Sequence, residues 1–195
     1  PPGMPGYQPA QLRDDELLPE KTLEKISKSN ITLEIVSSIN SPNARAELDF
    51  VRRSWAKIGI QLEIKYITDW KEFNTYIKSD AVQIYRYDWT AHMPDPDSFL
   101  YPLFASDSPA NYMRYMNHRV DNMLIQARGT TNPIERAAMY QKIEKQIMAD
   151  MPLIPLVNLS VNRVCQPYVQ GVMISALGIQ RTLMHRVWLS EPAAQ

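Results

Sequence analysis

The segment Asp88-Trp89-Thr90-Ala91-His92-Met93-Pro94-Asp95-Pro96-Asp97-Ser98-Phe99-Leu100, running on into Tyr101-Pro102-Leu103-Phe104, gathers an imidazole, carboxylates and aromatic rings into one proline-rich stretch. Metal binding is the first chemistry to test against it. His92, Asp95 and Asp97 lie close in sequence, but one histidine and two carboxylates in such a loop match no ligand spacing. Both aspartates suit turn or helix capping better, Asp97 standing just before Ser98-Phe99-Leu100. Covalent catalysis lacks a constellation as well: Cys165 is the single cysteine, in a strand-like stretch, and His118 and His185 adjoin no nucleophile motif. The six glycines are scattered, so no phosphate-cradling loop is written here. The expectation is a protein with no catalytic residue, no metal site and no cofactor. What remains is recognition by Tyr85, Tyr87 and Trp89 beside Arg86 and His92, a set that buries apolar parts of a ligand and orients its polar ends. The bland alternatives are that Tyr85 and Tyr87 pack within a sheet and that Arg86 is a paired surface arginine.

Composition narrows the partners. The 21 basic and 21 acidic residues cancel, with no Lys/Arg-rich run, so neither nucleic acid nor an anionic membrane is an expected partner. A length of 195 residues with 45% hydrophobic content suffices for one domain with a sizeable core, two small ones being possible. A lone cysteine forms no internal disulfide. The apolar stretches are short and broken by charge or proline, which excludes a membrane span within them. Pro1-Pro2-Gly3-Met4-Pro5-Gly6-Tyr7 has neither the basic segment nor the apolar run of a signal peptide, so an export signal is expected outside these residues.

The elements that must position the motif follow from periodicity. Residues 1–29 read as a linker and a short surface helix after Pro19, residues 30–189 as the folded body and residues 190–195 as a loose tail. Ile31, Leu33 and Ile35 alternate with Thr32 and Glu34 as a strand does. Ser41 and Pro42 open a helix whose apolar stripe is Ala44, Leu48, Val51, Trp55 and Ile58, closed by Gly59. Ile60, Leu62, Ile64 and Tyr66 make a second alternating strand, and strand–helix–strand implies a right-handed parallel crossover. Asp69-Trp70-Lys71-Glu72 reads as a capping box before a short helix. Ala81 to Tyr87 supplies a third strand, and the motif hangs from its carboxyl end. Beyond it, Val120, Met123, Leu124 and Ala127 mark a helix ending near Gly129. Asn132-Pro133-Ile134-Glu135 caps another, with Ile134, Ala138, Tyr140, Ile143 and Ile147 turned inward before Met151-Pro152. Leu153–Ser160, Asn162–Cys165 and Val169–Ser175 read as extended segments, with a last apolar touch at Val187, Trp188 and Leu189. The fold class is α/β: a small, mostly parallel sheet flanked by helices, with extended C-terminal segments.

These residues also carry a resemblance. Trp89-Thr90-Ala91, Pro94-Asp95-Pro96-Asp97-Ser98-Phe99-Leu100, Phe104, Asn111, Val120-Asp121, Glu135-Arg136, Tyr140, Glu144 and Pro152-Leu153-Ile154-Pro155-Leu156 together resemble the carboxy-terminal portion of the bacterial extracellular solute-binding proteins of family 5. These are the oligopeptide-, dipeptide- and nickel-type receptors of ABC importers. Pro2 to Tyr7 is similar to the segment entering that lobe, and Val187-Trp188-Leu189 to its usual end. The resemblance implies one lobe of a two-lobed periplasmic receptor, a fragment that closes over a peptide or other small solute only with its N-terminal partner lobe and that serves a membrane permease. The ligand-contacting set it implies is Trp89, His92, Arg86, Tyr87, Asp95 and Asn111. One departure bears on ligand class. Where peptide-binding members resemble one another in an aspartate facing the peptide's amino terminus, this chain has His92, and an imidazole offers an ammonium group no attraction. Arg86 is similar in position to a basic residue contacting the carboxylate end of peptides in some relatives, leaving an anionic ligand end open. The alternative function is an extracytoplasmic sensor domain of a membrane-bound signalling protein, driven by the same closure.

Overall fold

The two alternating apolar runs become parallel neighbours in the computed structural model, which describes residues 7, 20–158, 162–173 and 183–190. The chain divides into two compact units, meeting in sequence at Trp89 and Thr90. The first runs α1 (Glu20–Lys28), β1 (Ile31–Ser37), α2 (Pro42–Ala56), β2 (Ile60–Tyr66), α3 (Trp70–Ile77) and β3 (Ile84–Arg86). Helix α1 is the surface helix expected after Pro19; the residues expected to precede it, apart from Tyr7, and the tail after Ser190 lie outside the described residues. The strands form a parallel sheet in the order β2-β1-β3, with Ile31 opposite Ile60 and Ile35 opposite Ile84.

Local chemistry sets the ends of these elements. Ser41 is extended and its Oγ accepts the Ala44 N–H at 3.3 Å, with Pro42 in the first turn, so α2 starts there. Its exit turns on Gly59 at φ +82°, where a Cβ would lie 2.4 Å from the Cα of Ser27. The Asp69 carboxylate accepts the Glu72 N–H at 2.8 Å and opens α3. Side chains alternate across β1: Ile35 clusters with Leu48 of α2 and Leu62 of β2, while Glu34, on the other face, accepts the Tyr76 hydroxyl of α3 at 2.6 Å. The two helices therefore cover opposite faces, as right-handed crossovers running in opposite directions require. Each fully buried Leu48-sized side chain contributes about 1.5–3 kcal/mol. Strand β3 is shorter than the 81–87 expected. The side-chain oxygen of Gln83 takes the Glu34 N–H at 2.7 Å, so the ladder begins only at Ile84.

The unit from Thr90 onward is built on three helices, α4 (Asp97–Phe104), α5 (His118–Gly129) and α6 (Pro133–Asp150). A two-stranded antiparallel pair follows, β4 (Val169–Gln170) with β5 (Trp188–Leu189), and a 3-10 turn at Met184–Arg186 leads into β5. Asn117 accepts the N–H groups of Arg119 and Val120 to start α5, and Asn132 those of Ile134 and Glu135 to start α6. Phe104, Val120, Leu124, Ala127, Tyr140, Ile143 and Ile147 form the core. Two residues expected to face inward do not: Ile134 is 83% exposed and Ala138 is exposed. At about 100° per residue both fall off the face carrying Tyr140, Ile143 and Ile147, whose N-terminal continuation is Arg136. Of the extended segments expected toward the carboxyl end, only Val169–Gln170 pairs among the described residues. Residues 159–161 and 174–182 lie outside them. No helix among the described residues is long and apolar enough to cross a membrane.

Candidate functional site

Central strand β1 passes to β2 on one side, and the chain then returns across it to β3 on the other. The connections diverge at the carboxyl ends of β1 and β3, the place where open α/β sheets receive ligands. At the end of β1, the fully buried Ser37 donates its hydroxyl to the Ile39 carbonyl (2.9 Å) and accepts the Ile39 N–H (3.1 Å), turning the chain toward α2. At the end of β3, Arg86 is followed by Tyr87, Asp88 and Trp89.

Arg86 is held, not presented. Its Nε and Nη2 donate to the two oxygens of Glu47 on α2 at 3.0 and 3.2 Å, and its Nη1 donates to Oδ2 of Asp88 at 3.0 Å. Its side chain is only 9% exposed. Burial pulls the guanidinium pKa down, but the bonds to Glu47 and Asp88 outweigh it and hold it above the ordinary arginine value. Of the two sequence readings for Arg86, the paired arginine describes its contacts.

On the opposite side of the same segment the rings form a row. Tyr87 stacks against Trp70 of α3 at 6.3 Å and against Trp89 at 6.4 Å, both tilted by 29°. Phe73 lies 5.8 Å behind Trp70, and Tyr85 meets Tyr87 edge-on at 6.1 Å. Phe73 is buried, Tyr87 and Trp89 are half-buried, and Trp70 is 55% exposed. The row is thus anchored on the buried Phe73 and opens to solvent most at Trp70. Tyr87 and Trp89 were legible in the sequence as candidates; Trp70 was not singled out, because it reads as the first residue of a capped helix.

In the unit from Thr90 onward, the motif's acids hold the loop. Both oxygens of Asp95 accept from Arg136 of α6, at 2.7 and 2.9 Å, and Asp95 Oδ1 also accepts the Asp97 N–H at 2.8 Å. Asp97 accepts from Arg128 of α5 at 3.0 Å and from the Tyr140 hydroxyl at 3.1 Å, and that hydroxyl itself accepts from Arg136 at 3.0 Å. The Arg128 guanidinium also lies 3.6 Å from the Tyr101 ring centre. Asp95, expected as a capping residue and a ligand contact, accepts the N–H of Asp97 from one position before the N-cap residue Pro96; Asp97, expected to cap, is instead the first residue of α4. The bonds from Arg136 hold the Asp95 carboxyl below the usual range, and burial pushes Tyr140 up to about 12 with Asp97 adding to the shift.

Asn111 is spent on the loop as well. Its Nδ2 donates to the carbonyls of Ala105 (3.2 Å) and Tyr115 (2.7 Å), and its Oδ1 accepts the Tyr115 N–H (3.1 Å). His92 is exposed. The six candidates therefore sort into Arg86, Tyr87 and Trp89, gathered at the end of β3, and His92, Asp95 and Asn111, which belong to the other unit. Glu47, Trp70, Arg128 and Arg136 complete the two arrangements from positions up to 41 residues away in the chain. No group of three or more His, Cys, Asp or Glu side chains suited to a metal ion occurs among the described residues.

A family model for bacterial extracellular solute-binding proteins, family 5 Middle, matches residues 1–111. Over 175 residues the chain is 26% identical to heme-binding protein A of Haemophilus influenzae, a match covering 88% of this chain and 31% of that protein. It is likewise 26% identical over 175 residues to the dipeptide-binding protein of Escherichia coli, covering 88% of this chain and 32% of that one. The solved structure of HbpA2 from Haemophilus parasuis superposes with a TM-score of 0.76 at 25% identity, over 97% of this chain and 39% of that chain. The chain spans about a third of the length of the curated relatives it matches.

Proposed function

The chain belongs to the bacterial extracellular solute-binding proteins of family 5, and on that premise we propose that it is the ligand-gripping part of a receptor that delivers a peptide or another small solute to an ABC importer. Its fold is that of periplasmic binding proteins, a small parallel sheet flanked by helices. In this reading the receptor works on the outer side of the cytoplasmic membrane and binds without turnover. The rest of the receptor supplies a second lobe, and closure of the two over the solute is the event the membrane permease reads.

The observation carrying the proposal is the row Trp70–Tyr87–Trp89 at the carboxyl edge of the sheet. Half-buried at Tyr87 and Trp89 and open to solvent at Trp70, it offers flat apolar contact where the strand connections diverge. The related proteins are named for heme and for dipeptides, and a wall of rings suits solutes of such different outline because stacking tolerates shape. In the intact receptor, titration calorimetry with a di- and tripeptide library is expected to find a saturable 1:1 complex, with no change in the peptide on recovery. Trp89→Ala weakens that complex about tenfold or more, the loss of a ring contact at a binding centre. Full affinity in the Trp89→Ala receptor, or recovery of cleaved peptide, contradicts the proposal.

A further inference from the structure

Resting on that reading, we propose that the groove between α5 and α6 is a docking surface for an acidic helical segment on the outer face of the membrane permease. The groove has a volume of about 540 Å³ and is lined from both helices. Arg119, Met123 and Gln126 stand at i, i+4 and i+7 on α5, and Met139, Lys142 and Lys145 at i, i+3 and i+6 on α6, so each helix gives it one flank. Only Thr130 to Asn132 join the helices, a connection short enough to make them antiparallel neighbours. Three positive charges and no carboxylate line the groove, in a chain whose 21 basic and 21 acidic residues cancel. None of the three side chains has an ion-pair partner among the described residues. Lys142 and Lys145 also repel each other, being three apart on one helix. Glu144, between them in sequence, does not line the groove. Asp121 and Asp150, at the end of the helix pair where Arg119 stands, are engaged elsewhere: the first accepts from Ser106, the second from Tyr115, Asn117 and Gln146.

The groove's chemistry selects its occupant. Met123 and Met139 are half-buried against the core of this unit, and their flexible thioether chains mould to an apolar partner surface. A groove between two helices takes the apolar face of a third, and acids three or four apart on that helix would meet Lys142 and Lys145. A small anion fits poorly, because Arg119, Lys142 and Lys145 are all exposed and no buried polar side chain is there to fix one. Permanent cover by the rest of the receptor would strip water from three charges, a cost that only complete pairing recovers. A partner met briefly leaves them hydrated between encounters, and their combined field speeds each encounter. On the receptor reading, the partner met once per transport cycle is the permease.

The test uses the intact receptor and its importer reconstituted in lipid nanodiscs. Carbodiimide condenses paired amines and carboxylates into amides, and mass spectrometry is expected to find Lys142 or Lys145 joined to an Asp or Glu of the permease. The double variant Lys142→Glu, Lys145→Glu should raise the receptor concentration for half-maximal stimulation of ATP hydrolysis about tenfold or more at low salt, and by less at high salt. Its peptide affinity, read by calorimetry, should equal that of the wild type. The double variant Lys142→Arg, Lys145→Arg keeps the charge and should stimulate as the wild type does. Cross-links from these lysines only to the receptor itself would mean that its own second lobe fills the groove, and they overturn the proposal. A half-maximal concentration within about twofold of wild type in the charge-reversed receptor overturns it too, and leaves the receptor reading standing. If the wild type stimulates no hydrolysis, the receptor reading falls and the docking surface with it.

Discussion

Asp95→Asn is the sharpest probe of the motif's structural half. The carboxylate receives two bonds from Arg136, at 2.7 and 2.9 Å, and one from the Asp97 N–H at 2.8 Å. Asparagine keeps one acceptor oxygen and turns its amide toward the guanidinium, so the fork of two bonds is lost and a donor faces a donor. Hydrogen bonds involving a charged group are worth about 1.5–3 kcal/mol. The side chains are 31% and 24% exposed, and solvent screening places the loss in the lower part of that range, at about 2 kcal/mol. For a chain of this size that corresponds to a fall in Tm of about 4–8 °C, read by circular dichroism at pH 7. A pH series supplies the second check. Arg136 lowers the folded-state pKa of Asp95, so the stabilisation is complete above the unfolded value of about 3.9 and disappears as pH falls through the folded value. The gap between wild type and variant should therefore stay constant from pH 7 to about pH 5 and close under more acid conditions. A variant melting within about 1 °C of wild type at pH 7, or a gap that widens in acid, refutes the argument.

Gly59→Ala should cost more than about 2 kcal/mol in urea denaturation, because φ is +82° and the added Cβ meets the Ser27 backbone, which has no flexible end to yield. Tyr140→Phe should cost about 1 kcal/mol by the same measurement, the hydroxyl linking Arg136 to Asp97 being removed. In ultraviolet difference titration against that variant, the Tyr140 phenol should ionise near pH 12, and a transition at an ordinary tyrosine value would count against its burial beside Asp97.

Local signals carried much of the fold. The period-two runs of β1 and β2, the apolar stripe of α2, and the caps at Ser41, Asp69 and Asn132 stand where the residues indicate, because each rests on neighbours within one turn or one strand. The misreadings share a cause. Ile134 and Ala138 counted as apolar, but the face of α6 is phased by Tyr140, Ile143 and Ile147, and its next inward position holds Arg136, a charge that no hydrophobic count selects. Asp97 looked like a cap because its partners, Arg128 and Tyr140, are 31 and 43 residues away. Arg86 shows the same limit: the resemblance leaves an anionic ligand end and a paired arginine both open, and only the fold brings Glu47 of α2 to its side chain.

The unpaired stretch after α6 has a further consequence. Ile154, Leu156, Val157 and Val164, the last 99% exposed, lie on chain that forms no ladder among the described residues, a composition that invites strand-to-strand aggregation. Pro152, Pro155 and Pro167 punctuate it, and each lacks the N–H that an incoming strand needs. Prolines at these places shorten any ladder that a second strand could build on the segment.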